Sequence, residues 1–286
     1  MFVDLEKVKK GFDRYVQSFD LSAPMIRLKY QHSYDVMKIG TTLMDALAWP
    51  EDRAQVGIAA CLLHDTGRFS QYRDFGTYYD GASTDHGERG YQELRAAFSA
   101  FSNFSKEGHF KEGDFKEEHL GDGLDQEAQM AILEAVRWHN KKALPDTGEI
   151  TPQVMPFCQL ARDADKLDIF ALVSRRIDEG TVLELLPRHK IDAPLSAALL
   201  DEVEAQWSGS YKNASSLLDF LLIQLTWSLD VNFAPSWEML QSSGVLTRIR
   251  DRFPKNDARV QTLLDRLFVR MEERQKTVAA MATAYF

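Results

Sequence analysis

The residues of this chain that could do chemistry centre on one dipeptide, His64-Asp65. An apolar run from Ile58 to Leu63 precedes it, and Thr66-Gly67-Arg68 follows it directly. A neutral imidazole and a carboxylate are ordinary ligands of a divalent metal ion. Because adjacent residues of a helix diverge by about 100°, both side chains can reach one ion only from a helix end that faces a cavity. A helix-terminal ion pair is the structural alternative.

Three further histidines occupy positions from which they could face the same centre. His32 lies on the apolar stripe of a predicted helix, and His139 ends the stripe of another. His86 falls in the first turn of a helix whose predicted N-cap is Asp85, with Glu88 three residues on, as in a capping box. The alternative to metal ligation is a purely structural role. His32 and His139 would then be core residues, and His86 would lie on the surface. The first stripe consists of Leu28, His32, Val36, Ile39 and Leu43.

A second signal is a group of aspartates in a segment that is apolar on most sides, residues 156–170. Burying a carboxylate is costly unless it is paired, protonated or bound to a metal ion. Helical periodicity places Asp163 on one side of this segment and Asp165 on another. Periodicity alone therefore leaves open which of the two aspartates faces the histidines.

The elements that must position these residues are predicted to be helices, because nearly every segment has helical periodicity. Residues 66–84 are the exception. They are rich in aromatic residues and glycine, and we expect a loop that forms the rim of a pocket, entered by a turn at Gly67. After residue 104 the chain becomes polar, and we expect an exposed insertion in which His109 and His119 are solvated. The predicted helices cover residues 5–19, 22–49, 51–64, 85–104, 125–139, 156–170, 194–206, 215–230 and 256–283.

Composition limits the possible functions. The 286 residues carry a formal net charge of -9, which argues against binding to duplex nucleic acid, since that affinity comes largely from Lys and Arg on phosphates. Cys61 and Cys158 lie in apolar patterns and are predicted to be buried free thiols, which suits a reducing compartment. No apolar signal core is present at the amino terminus, and the longest apolar stretch, residues 217–227, is too short to cross a bilayer. We therefore expect a cytoplasmic protein without a membrane partner; a homo-oligomer is left open.

The candidate residues, taken in order, resemble a known family. His32, His64-Asp65 with Thr66-Gly67-Arg68, and Ala164-Asp165-Lys166-Leu167 resemble the motif of the HD superfamily of metal-dependent phosphohydrolases. His86 and His139 resemble the two additional histidines of its dinuclear branches. The Trp-His-Asn-Lys-Lys stretch around His139 departs from the paired histidines often found there.

The resemblance implies an all-α fold, an HD-domain helical bundle with an appended helical C-terminal region. We assign residues 1–186 to the HD-type domain and residues 187–286 to helices packed on the same body. It also selects Asp165 as a metal ligand and makes Asp163 a partner that orients a ligand histidine. The implied metal ligands are His32, His64, Asp65, His86, His139 and Asp165.

The implied chemistry is hydrolysis of a phosphate ester. This ligand set suits Mn²⁺, Fe²⁺, Ni²⁺, Co²⁺ or Mg²⁺, one or two ions per chain, with Asp65 placed to bridge two. A bound ion activates water for attack on phosphorus. The expected substrate is a nucleotide or another small phosphorylated metabolite. Arg68 and Lys166 are the favoured cations for its phosphate, although an ion pair of Arg68 with Asp65, Asp74 or Glu88 is the alternative.

Two other functions fit the same residues. A dinuclear iron site in this fold could activate dioxygen, as in the inositol oxygenase relatives. The site could also bind metal and nucleotide without turnover and act as a sensor.

Overall fold

The computed structural model describes residues 1–106, 120–145, 147–181 and 193–282 of the chain. Most of these residues are helical and no strand is present among them, which confirms the predicted all-α fold. An isolated antiparallel bridge joins Val3 to Leu124. In chain order the helices are α1 (Leu5–Gln17), α2 (Pro24–Leu47), α3 (Glu51–Leu63), α4 (Thr66–Phe75), α5 (His86–Lys106), α6 (Gln126–Trp138), α7 (Met155–Asp178), α8 (Ala197–Gln206), α9 (Leu217–Trp227), α10 (Ala234–Ser242), α11 (Val245–Arg250) and α12 (Ala258–Ala282).

The chain divides into two compact units, Met1–Asp165 and Lys166–Phe286. The domain boundary predicted between residues 186 and 187 lies outside the described residues. The same holds for His109 and His119 in the predicted insertion, so both assignments stay predictions.

The first unit is built around α3, which is buried on all sides from Val56 to Leu63. Helices α2 and α6 pack against α3, and α4 and α6 pack against α5. Because every face of α3 is covered by another helix, its sequence lacks an apolar stripe of its own. The last turn of α3 therefore carries the next two residues into the interior of the unit.

Several helix starts follow the predicted signals. Pro24 is the first residue of α2. The Asp125 carboxylate accepts the Ala128 N–H at 2.8 Å and caps α6. The Asp85 carboxylate accepts the Glu88 N–H at 3.0 Å at the start of α5. Each carboxylate satisfies an N–H that has no partner within the helix.

The predicted loop over residues 66–84 is wrong in its first half, where the chain forms α4. Gly67 makes no turn, because it lies inside this helix and its φ is not positive. A Cβ atom at Gly67 would lie 2.3 Å from the His86 carbonyl oxygen and 2.5 Å from the Gly90 nitrogen. The glycine is thus required where α4 crosses α5 backbone against backbone.

The burial of one residue in α4 and one in α2 differs from what the sequence predicted. Phe69, expected on a pocket rim, is fully buried and lies 5.9 Å from the Phe12 ring, centroid to centroid. Leu28, expected on the buried stripe of α2, is 45% exposed. The other end of that stripe is confirmed, since Val36 and Leu43 are fully buried.

The second unit contains the end of α7 and helices α8 to α12. Helices α8, α9 and α12 were predicted, whereas the short α10 and α11 were not. The buried Asp219 carboxylate organises the start of α9, where it accepts the backbone N–H groups of Ser196 at 2.7 Å and Ser216 at 3.0 Å. Among the described helices of the chain, none has the length and apolar content needed to cross a membrane.

Candidate metal centre

Helix ends and helix faces of the first unit bring the six predicted ligand residues together. Two of the histidines end helices, since His64 is the C-cap of α3 and His139 is the C-cap of α6. The carbonyl end of a helix carries partial negative charge, so two such ends favour a cation between them. All six residues lie in the interior or near it: His32, His64, Asp65, His86 and His139 are buried and Asp165 is partly buried.

The Asp65 carboxylate stands between two pairs of histidines. Its Oδ2 atom lies 3.5 Å from Nε2 of both His32 and His64. Its Oδ1 atom lies 3.5 Å from His86 Nε2 and 3.4 Å from His139 Nε2. One carboxylate therefore offers a different oxygen to each pair.

Asp165 joins the first of these pairs. Its Oδ1 atom lies 3.1 Å from His32 Nε2 and 3.6 Å from His64 Nε2. Asp163 is fully buried in the same helix. We call His32, His64, Asp165 and Asp65 Oδ2 the first half-site, and His86, His139 and Asp65 Oδ1 the second half-site.

The histidine tautomers leave lone pairs pointing at one another. His64 Nδ1 donates to the Cys61 carbonyl oxygen at 2.7 Å, and His139 Nδ1 donates to the Val136 carbonyl oxygen at 2.7 Å. His86 Nδ1 donates to Asp80 Oδ2 at 2.6 Å. In a neutral imidazole the other nitrogen is then an acceptor.

The Nε2 atoms of the two histidines in each half-site lie at the spacing of two ligands of one cation. His86 Nε2 lies 3.0 Å from His139 Nε2, and His64 Nε2 lies 3.2 Å from His32 Nε2. Two nitrogen ligands held about 2.1 Å from one ion at about 90° are about 3.0 Å apart. The donor set of the first half-site therefore fits a metal ion, since His32, His64 and Asp165 bring ligand atoms within 4.8 Å of one another. The same spacing holds for His64, Asp65 and His139, which join residues of both half-sites.

Comparison with protein-family models matches residues 30–172, half of the chain, to the HD domain. The chain belongs to the HD-domain family. HD domains form a superfamily of metal-dependent phosphohydrolases, and the buried His and Asp groups of this one could hold a metal ion. Searches of curated proteins and of solved structures gave no match.

The electrostatics of this HD domain keep its ligand atoms ready for a cation. Burial and the Arg68 guanidinium lower the pKa of His86 to about 3, and burial lowers the pKa of His139, so both imidazoles are neutral near pH 7. Burial alone would raise the pKa of Asp65, but Lys29 and then His64 outweigh it and hold that pKa well below its usual range. The carboxylate is therefore ionised.

The cations predicted to hold the substrate phosphate have carboxylate partners in the structure. Arg68 Nη1 donates to Asp80 Oδ1 at 2.9 Å, and Arg68 Nε lies 3.6 Å from Asp65 Oδ1. Lys166 belongs to the second unit, where its ammonium donates to Asp230 Oδ2 at 2.6 Å. Of the ion-pair partners considered for Arg68, only Asp65 lies near it, since Asp74 pairs with Arg89 and Glu88 with Arg137. The closer partner, Asp80, was not among them. Phosphate binding by Arg68 or Lys166 stays a prediction.

Three residues that the sequence reasoning missed support the HD site. Lys29 donates to Asp65 Oδ2 at 2.7 Å, and Asp80 orients His86. The buried Arg162 guanidinium donates to the carbonyl oxygens of Trp138 at 2.7 Å and His139 at 3.0 Å, which holds the end of α6. Only Lys29 had a local signal, since it precedes His32 by three residues on the same helix face.

Proposed function

We propose that this chain is a metal-dependent phosphohydrolase that hydrolyses a phosphate mono- or diester of a nucleotide or another small phosphorylated metabolite. The observation that carries the proposal is the position of Asp65, whose two oxygens each face a pair of histidine Nε2 atoms. A carboxylate between two sets of imidazole ligands is the arrangement that a pair of divalent ions needs. Membership of the HD-domain family supports the same reaction class.

The residues of the two half-sites would hold the ions. His32, His64 and Asp165 with Asp65 Oδ2 would bind one, and His86 and His139 with Asp65 Oδ1 would bind the other. Divalent ions there would lower the pKa of bound water and polarise a phosphoryl oxygen. The imidazole and carboxylate ligands suit Mn²⁺, Fe²⁺, Co²⁺, Ni²⁺ or Mg²⁺.

The chain's own residues keep thiolate out of the ligand set. Burial, followed by the charges of Asp165 and Asp163, raises the pKa of the Cys61 thiol, so the thiol stays protonated. The Asp65 carboxylate stays ionised because Lys29 stands beside it. Backbone carbonyls and Asp80 fix the imidazole rings with Nε2 facing inward.

The test is elemental analysis of the purified protein, followed by a screen of nucleotides and phosphodiesters with each metal ion added. We expect bound metal and the release of phosphate or of an alcohol from an ester. Asp65→Asn should remove metal and activity. Asp251→Asn in the second unit, whose exposed carboxylate pairs with Lys255 at 2.9 Å, is the control and should change neither.

Two other results would replace the proposal. Consumption of dioxygen by the iron-loaded protein, without ester hydrolysis, would identify an oxygenase. Tight nucleotide binding to the metal-loaded protein with no product would identify a sensor.

A further inference from the structure

Lys29 reaches the site from the face of α2 that carries His32, one helical turn earlier. Its ammonium donates to Asp65 Oδ2 at 2.7 Å, and its side chain is 16% exposed. The same ammonium lies 5.8 Å from the centre of the Tyr78 ring. Lys29 is thus a cation at the edge of the first half-site with part of its surface open to solvent.

Lys29 and Arg68 are paired with different kinds of aspartate. Lys29 is paired with the metal-ligand residue Asp65, whereas Arg68 is paired mainly with Asp80, which is not a ligand. Arg68 Nη1 donates to three acceptors, Asp80 Oδ1 and Gln71 Oε1 at 2.9 Å each and the Tyr78 carbonyl oxygen at 2.5 Å. Asp80 is outside the ligand set, so it remains the counter-charge of Arg68 whether or not metal is bound. Arg68 Nη1 in this way holds the segment that orients His86, whereas Arg68 Nε is buried without a hydrogen-bond partner, 3.6 Å from Asp65 Oδ1.

The counter-charge of Lys29 is the carboxylate that the two ions would share. Among the described residues, the Lys29 ammonium makes one hydrogen bond, to Asp65. An ammonium has three N–H donors, so two remain for a ligand. Divalent ions bound to Asp65 would neutralise the charge of its carboxylate. The Lys29 ammonium could then attract an anion that approaches the first half-site.

We propose that Lys29 is a catalytic residue that binds a non-bridging oxygen of the substrate phosphate beside the first half-site. This inference rests on the proposed function, because it names the side chain that binds the substrate phosphate in the same site. It assigns a phosphate contact to Lys29, while the Nη1 contacts of Arg68 position the segment that orients His86. A phosphate oxygen there accepts a charge-assisted hydrogen bond from the ammonium.

The experiment compares Lys29→Met with wild type, using Mn²⁺ alone and then inorganic phosphate as probes. Calorimetric titration measures Mn²⁺ binding, and titration of the Mn²⁺-loaded protein with phosphate measures the anion. Broadening of the phosphate ³¹P signal by Mn²⁺ places the anion at the metal centre. The control is Lys38→Met, an exposed lysine on the same helix that pairs with Asp35.

We expect Lys29→Met to bind Mn²⁺ with unchanged stoichiometry but phosphate at least about tenfold more weakly, the size of one charge-assisted hydrogen bond. Lys29→Arg keeps the charge and should bind phosphate within about threefold of wild type. Lys38→Met should match wild type in both titrations. Lys29→Gln serves as the neutral variant if the methionine variant does not fold.

Three results would overturn the proposal. One is equal phosphate affinity of the loaded Lys29→Met and wild-type proteins. Another is loss of Mn²⁺ from Lys29→Met with no change in phosphate affinity per bound ion, since Lys29 would then only hold Asp65. The third is a loaded wild-type protein that binds no phosphate.

The proposed function and this inference fail in different ways. If wild type hydrolyses no ester but binds phosphate, and Lys29→Met weakens that binding, the inference stands and the hydrolase assignment falls. If wild type hydrolyses an ester and Lys29→Met does so with unchanged kcat and KM, the inference falls alone.

Discussion

Asp80 Oδ2 lies 2.6 Å from His86 Nδ1, so a side chain from a separate segment orients a histidine of the second half-site. His64 and His139 are oriented differently, each by a backbone carbonyl three residues earlier in its own helix. Asp80 also accepts hydrogen bonds from Arg68 at 2.9 Å and Gln71 at 2.8 Å, which tie it to α4. The second half-site thus depends on a residue that is not one of its ligands.

Asp80→Asn should weaken metal binding in the second half-site and leave the first half-site unchanged. A neutral amide orients the imidazole less firmly, and changes to such outer partners lower metal affinity about 10–100-fold. Titration with Mn²⁺ should show one unchanged and one weakened binding step. Asp74→Asn on α4, whose carboxylate pairs with Arg73 at 2.7 Å, is the control and should leave both steps intact. Equal weakening of both steps would contradict the assignment of Asp80 to His86.

The two aspartates of α7 should differ in their effect on metal content. Asp165→Asn removes a carboxylate that lies 3.1 Å from His32 Nε2 and should empty the first half-site. Asp163→Asn should weaken binding by about 10–100-fold at most, as expected for an outer partner. Elemental analysis after dialysis distinguishes the two. Metal lost from Asp163→Asn and retained by Asp165→Asn would mean that the wrong aspartate was assigned.

Gly67→Ala should destabilise the protein because its methyl group has no room between α4 and α5. The Cβ atom would lie 2.3 Å from the His86 carbonyl oxygen, a backbone atom that cannot rotate away. We expect a loss of at least about 1–3 kcal/mol of unfolding free energy, measured by urea denaturation. Gly90→Ala on the facing helix, whose Cβ would meet Gly67 and Val136 at 3.0 Å, should cost less. The reverse order would show that the two helices can separate at Gly67 without strain.

Arg162→Met should lower stability by roughly 2–4 kcal/mol, since buried carbonyl groups lose their donor. The Arg162 guanidinium donates to the carbonyls of Trp138 and His139 at the end of α6. Thermal or urea unfolding measures the loss. Arg175→Met changes an exposed arginine of the same helix and should lie within about 0.5 kcal/mol of wild type. If both variants unfold alike, Arg162 does not hold the end of α6.

The metal-free protein should lose stability as the pH falls from 7 to 5. The pKa of native His86 is lowered to about 3 by burial and Arg68, whereas an unfolded histidine has a pKa of about 6.5. In that window the unfolded chain binds a proton that the native site does not, so acid favours unfolding. Carboxylates titrate lower and add little above pH 5. The urea midpoint at pH 7 and pH 5 measures the effect, and His86→Gln should reduce the difference. Equal midpoints in wild type would contradict neutral burial of the imidazole.

Local signals in the sequence were enough to predict where most helices begin and end and which histidines point inward. The apolar run before His64 and the stripe before His139 each end at a helix terminus, so the direction of both side chains could be inferred. Asp85 caps the helix that it was predicted to cap, and Asp125 caps the helix that was predicted to begin at residue 125. These features depend on neighbours within one or two turns, which a single sequence displays.

Features that depend on distant partners could not be predicted. Gly67 looked like a turn residue, but it is needed because another helix crosses there. Asp80 gave no signal, because its partners His86 and Arg68 reach it through the fold rather than through periodicity. The contact of Lys29 with Asp65 likewise joins residues of different helices. Such pairings require the three-dimensional arrangement of α2, α4 and α5.

The way the imidazoles are held makes the two half-sites unequal in their robustness to mutation. The carbonyls of Cys61 and Val136 exist whatever side chain stands at those positions, so substitution there leaves the orientation of His64 and His139 in place. The orientation of His86 requires a carboxylate at residue 80. A single substitution of Asp80 would therefore turn the proposed two-ion centre into a one-ion centre, while the fold and the first half-site are retained.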